Sequence, residues 1–156
     1  MTNRVSKRLR IFSDCFSKGR TMVAIQFEYQ GDLHCKAVHG PSGTELSTDA
    51  PKDNQGRGES FSPTDLVATA LGSCMFTVMG IMARTLNLDI TGSTATVEKE
   101  MTTEAPRRIK SLTVKLHMHG SFSDQDKLKL ERAAHTCPVH KSLHPDIETP
   151  IEFIWA

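Results

Sequence analysis

Between Leu66 and Ala83 the chain runs LVATALGSCMFTVMGIMA, eighteen residues without a formal charge. Just ahead of it, Ser62-Pro63-Thr64-Asp65 carries the signals of a helix start: Ser62 as N-cap, Pro63 at the first helical position and Asp65 as an acid in the first turn. A helix from there to about Leu86 is predicted. The stretch reaches the length of a membrane span. However, Thr69, Gly72, Ser73, Thr77 and Gly80 dilute its apolarity, and no second segment of the kind accompanies it. The favoured reading is a helix buried on most of its sides. One sheet in a chain of this length cannot surround such a helix, so a second copy of the chain is expected to cover it, giving an intertwined homodimer.

The flanking segments point to strands. Residues 22–29 (MVAIQFEY) alternate apolar and polar, and Gln30-Gly31-Asp32 marks a turn. Leu33 to His39 and Thr44 to Thr48 read as two more strands, separated by Gly40-Pro41-Ser42-Gly43, and the three form an antiparallel meander. Asp49 to Ser62 is polar and Gly-rich, a loop long enough to suggest function. Beyond the helix, Ser93 to Thr103 and Ile109 to His119 read as strands, with Leu112, Val114, Leu116 and Met118 sharing a face. Ser123-Asp124-Gln125-Asp126 resembles a capping box and opens a helix to about Thr136. Pro138 starts a short helix, and Ile151, Phe153 and Trp155 mark a final strand. The order of elements predicts an α+β fold.

The length of 156 residues suits one domain, and the net charge of +1 gives no general attraction to nucleic acid or to a membrane surface. Residues 1–20 carry six Lys or Arg against Asp14 alone, hence +5, leaving −4 for the remainder. The expected division is a basic extension over 1–21 ahead of a domain over 22–156. The acid-poor start shares features with organelle transit peptides. The simpler assignment, adopted here, is an extension on a cytoplasmic protein. Four cysteines are too few for a disulfide scaffold, and no apolar h-region precedes them, so reduced thiols are expected.

Two of the four cysteines stand out. Cys74 lies in the uncharged helix, where a buried free cysteine is most simply a small core hydrophobe. Cys137 precedes Pro138 and so takes an N-cap position, where the helix end should favour its thiolate. His135, His140 and Lys141 could add positive field. Cys15 and Cys35 lack such context and are read as structural. A zinc site built from His135, Cys137, His140 and His144 is disfavoured, because the spacing is not that of a standard finger and no second cysteine pair accompanies it. No metal or other cofactor is expected.

The segment GESFSPTDLVATALGSC, followed by CPVHKSL, resembles the OsmC/Ohr family of osmotically inducible and organic hydroperoxide resistance proteins. The likeness runs from Met22 to Ala156 and has the character of the OsmC-like branch. It implies an OsmC-like fold with antiparallel sheets around two central helices, shared between the subunits of an intertwined homodimer. It further implies a thiol-dependent peroxidase that reduces organic hydroperoxides, with Cys74 as the attacking thiol, Cys137 as the resolving thiol, and an external dithiol, possibly of lipoyl type, as reductant. Phe61, Leu71 and Phe76 are the expected walls of the substrate pocket.

The chain departs from that family's pattern in two places. Thr64 stands where the peroxidases carry a Glu, and the Gln30-Gly31-Asp32 turn lacks their Arg. Arg57, Glu59 and Lys36 are the candidates for the activating role. The alternative from a different class is a non-enzymatic module that holds a hydrophobic ligand at the dimer seam. A third is a redox or metal sensor centred on Cys137.

Overall fold

The computed structural model describes residues 22–156; the predicted basic extension and Cys15 lie outside them. The first sheet is an antiparallel meander of β1 (Ile25–Gly31), β2 (His34–His39) and β3 (Glu45–Asp49). The turn between β1 and β2 places Asp32 and Leu33 at φ of 49° and 62°, the left-handed pair of a tight hairpin turn. Its strands pack on one another and hardly touch the rest of the protomer. Their apolar positions therefore stand open, with Phe27 72% and Tyr29 64% exposed.

The loop after β3 carries a single 3-10 turn at Lys52–Asn54 and is tightly tied to the sheet. The Glu59 backbone N–H donates to Asp49 Oδ2 at 3.1 Å, Ser60 Oγ donates to the Ser47 carbonyl at 2.8 Å, and the Asp49 N–H donates to the Phe61 carbonyl. Asp49 is wholly buried, although its second carboxylate oxygen has no partner.

Helix α1 (Pro63–Leu86) begins as its sequence predicts. Ser62 accepts the Asp65 N–H, the Asp65 carboxylate accepts the Ser62 N–H, and Pro63 fills the first turn. The helix closes at Asn87, whose left-handed conformation (φ 53°) ends the ladder. Among the described residues, α1 is the helix long and apolar enough by length and composition to cross a membrane. Within the protomer only one of its faces is buried: Ala68, Leu71, Gly72, Met75, Met79 and Ala83. The other face, with Ser73, Thr77 and a 60% exposed Ile81, is open.

Strands β4 (Thr94–Met101), β5 (Ile109–Met118) and β6 (Ile151–Trp155) form the second sheet, in that order. β5 is central, and its inward residues Leu112, Val114, Leu116 and Met118 are all but inaccessible, as the alternation predicts. The core joins this face to the buried face of α1 and to Leu130 and Ala134 of α2 (Asp124–His135). Helix α3 (Pro138–Ser142) follows α2 directly. The expectation of purely antiparallel sheets needs correction, because β6 pairs with β5 in parallel. The α2–α3 crossover returns the chain to the start of β5, so β6 must run the same way.

Candidate functional site

The fold brings Cys74 and Cys137 together. Cys74 lies halfway along α1 and is half-buried; Cys137 is the N-cap of α3 and has no exposed surface. α3 packs on α1, and the two free thiols stand near enough for the Cys74 side chain to influence the ionisation of Cys137. Cys137 Sγ also accepts the His140 backbone N–H at 3.5 Å. Burial pushes the Cys137 thiol above its ordinary value, and the neighbouring Cys74 side chain pushes it further. The backbone N–H groups of His140 and Val139 oppose this and are outweighed. Burial therefore works against the activation that the helix start predicts for Cys137. A five-residue helix has a weak end field, and complete burial disfavours the anion.

The candidate activating residues are not joined to the thiols within the protomer. Arg57 pairs with Asp32 at the exposed β1–β2 turn, and Lys36 pairs with Glu45 at 2.7 Å on the first sheet. Glu59 lines a groove of about 1140 Å³ between α1, β4 and the 58–61 loop. Phe61 and Phe76 line the same groove, but Leu71 does not: it is wholly buried in the core, which corrects its assignment as a pocket wall. Neither cysteine lines this groove. The reason is helical geometry. Phe76 follows Cys74 by two residues, so the two side chains leave α1 about 200° apart.

A smaller cleft, of about 370 Å³, opens one turn along α1 from Cys74. Val78, Ile81 and Met82 face Lys129, Arg132, Ala133 and Thr136 of α2 and its cap. It is apolar on its floor and cationic at its rim, and Thr136 adjoins Cys137 in the chain.

Sequence reasoning missed Lys99. Its side chain is 16% exposed and its Nζ lies 2.5 Å from Asp65 Oδ1, 2.8 Å from Thr64 Oγ1 and 3.4 Å from Ser62 Oγ. Burial raises the Asp65 pKa, but the Lys99 bond and the Ser62 backbone and side chain together hold it below the usual carboxylate value. The signal was present in the alternation of β4, where Val97, Lys99 and Met101 share the inward face. The His140–Thr149 contact, 2.7 Å from Nε2 to Oγ1, was also missed, since the partners lie nine positions apart across the end of α3 and the loop that follows. His135 and His140 stand with ring centroids 6.3 Å apart, and the exposed His144 lies beside Asp146. No group of three or more His, Cys, Asp or Glu side chains is arranged to hold a metal ion among the described residues.

A long central helix packed on one mixed sheet, with a separate antiparallel meander and with two cysteines brought together where that helix meets a later Cys-Pro turn, defines a class of thiol-bearing α+β proteins. The OsmC-like protein family model matches residues 56–152, and the chain belongs to that family. A structure described as a candidate osmotic stress induced and detoxification response protein from Psychrobacter arcticus 273-4 is 44% identical, with a TM-score of 0.81; the match covers 88% of this chain and 99% of that one. An organic hydroperoxide resistance protein OsmC from Legionella pneumophila shares the fold at 14% identity and a TM-score of 0.71, over 88% and 99% of the two chains. So does an organic hydroperoxide resistance protein from Elizabethkingia anophelis, at 13% identity and a TM-score of 0.71, over 90% and 100%. No functionally curated protein matches the chain in sequence.

Proposed function

We propose that this protein is a thiol-dependent peroxidase that reduces organic hydroperoxides. The observation that carries the reading is the pairing of a half-exposed Cys74 with a sealed Cys137 thiol at its side. Cys74, as thiolate, attacks the terminal peroxide oxygen. The O–O bond breaks, Cys74 becomes a sulfenic acid, and the departing alkoxide takes a proton to leave as the alcohol. Cys137 then displaces the sulfenic oxygen as water, which forms the Cys74–Cys137 disulfide. An external dithiol restores both thiols by exchange and leaves as its own disulfide. No metal or flavin is required by these steps. Membership of a family that includes organic hydroperoxide resistance proteins supports the reading.

A second copy of the chain completes the fold in this reading. The open face of α1 and the apolar face of the first sheet, with Ile25, Phe27, Tyr29 and Leu46, are more hydrophobic surface than a lone protomer of this size ordinarily leaves to water. The reaction belongs in a reducing compartment such as the cytoplasm, without a role for nucleic acid or membrane.

Turnover of cumene hydroperoxide with reduced lipoamide tests the proposal. Cys74→Ser should abolish it, and Cys137→Ser should leave a sulfenic acid that dimedone labels. Undiminished turnover in the Cys74 variant would rule the mechanism out. The large groove away from the dithiol favours a second reading, a carrier for a hydrophobic ligand with no catalytic role. Co-purified lipid together with thiols inert to hydroperoxide would select it.

A further inference from the structure

We propose that His140 is a positioning residue for Cys137, its ring tied to Thr149 so that the buried thiol stays aimed at Cys74. The inference rests on the dithiol reading above. α3 spans only five residues and cannot hold its shape through its own hydrogen bonds. The His140 N–H nevertheless donates to Cys137 Sγ, so the placing of residue 140 governs the placing of the sulfur. The ring supplies the tie. Its Nε2 lies 2.7 Å from Thr149 Oγ1, and Thr149 adjoins Pro150, whose carbonyl accepts the Val114 N–H of the central strand. Residue 140 is thereby referenced to β5, the most buried strand of the fold.

The other ring nitrogen sharpens the point. His140 Nδ1 is sealed from solvent and has no hydrogen-bond partner. An unpaired buried polar atom opposes folding, and an apolar side chain would fill this place without that penalty. What the imidazole contributes is its one bond, to Thr149. That bond fits the demands of the chemistry. A disulfide forms only when the two Cα atoms are within about 7 Å and the Cβ vectors converge. Small displacements of a reacting atom cost large factors in rate.

The tie predicts a defect confined to the second chemical step. Hydroxyethyl disulfide loads Cys74 as a mixed disulfide, with release of one mercaptoethanol. Cys137 thiolate then attacks the Cys74 sulfur, the new S–S bond forms, and the second mercaptoethanol leaves as a thiolate that takes up a proton. Acid quenching and peptide mass give the two rates separately in the full chain. Thr149→Val should slow closure by about tenfold while loading stays within about twofold, and Thr149→Ser should close at the wild-type rate. Should Thr149→Val fail to fold, His140→Leu against His140→Gln gives the same comparison. Wild-type closure in the variant without the hydroxyl or imidazole would overturn the proposal, as would equal slowing of both steps. Neither rate needs hydroperoxide. A protein that closes its disulfide as described but ignores hydroperoxides would remove the peroxidase and leave the positioning role intact.

Discussion

Replacing Lys99 by Met should destabilise the protein by about 1–2 kcal/mol and change its response to acid. The ammonium is 16% exposed and meets three oxygens of the α1 start: Asp65 at 2.5 Å, Thr64 at 2.8 Å and Ser62 at 3.4 Å. Hydrogen bonds to charged groups contribute about 1.5–3 kcal/mol when well buried. Exposed ion pairs contribute about 0–1 kcal/mol. Asp65 is 41% exposed and water can partly replace the lysine, so the effect falls between these limits. Met keeps an unbranched apolar stem and removes the charge. Urea denaturation at fixed protomer concentration, with Lys99→Met, Asp65→Asn and the double variant, isolates the pair energy. The capping bond to the Ser62 N–H complicates Asp65→Asn alone, and the cycle cancels it. The acid limb supplies a second readout. Asp65 has its folded pKa held down, so its contribution is present above the ordinary carboxylate pKa and is lost as pH falls through the folded value. Removing Lys99 should therefore flatten the loss of stability below about pH 4. A coupling energy near zero, or an unchanged acid limb, would refute the network.

Three other perturbations bear on the fold and the site. The raised Cys137 pKa makes stability fully present below the unfolded thiol value, about 8.5, and lost as pH rises toward the folded one. Cys137→Ala should flatten that alkaline decline in denaturation measured from pH 7.5 to 10. Gly56 packs so tightly that an added Cβ would sit 1.7 Å from the Ala50 carbonyl oxygen. Gly56→Ala should displace the loop, expose Asp49 and cost more than about 1 kcal/mol, read as faster amide exchange at Glu59. Phe27→Asp together with Ile81→Glu places charges on the two open apolar faces. It should abolish the proposed dimer in light scattering, and a wild-type protein already monomeric at micromolar concentration would dismiss the second copy.

Much of the fold was legible because its signals are local. The N-caps at Ser62, Ser123 and Cys137 and the alternation in β5 each involve side chains a few residues apart. The parallel pairing of β6 was not legible, since it depends on where the α2–α3 crossover delivers the chain. Nor was Leu71 as core rather than pocket, because the small polar stripe of Thr69, Ser73 and Thr77 marks only weakly which side of an uncharged helix turns outward. That Cys74 and Cys137 meet was not derivable from spacing either. It entered with the resemblance, and the packing of α3 on α1 supplies its physical basis.

Cys137 shows why a local signal can misstate chemistry. Its position before Pro138 correctly indicates a helix cap, and a cap alone favours the anion. The same packing that lets α3 reach α1 removes the sulfur from water, and desolvation outweighs two backbone N–H groups. Burial thus raises the pKa of the thiol with the favourable sequence context, while Cys74 keeps part of its surface open. That division suits a two-step reaction. In the proposed reaction, a resolving sulfur kept out of reach would not intercept the oxidant itself and would act only on a sulfenic acid formed at Cys74.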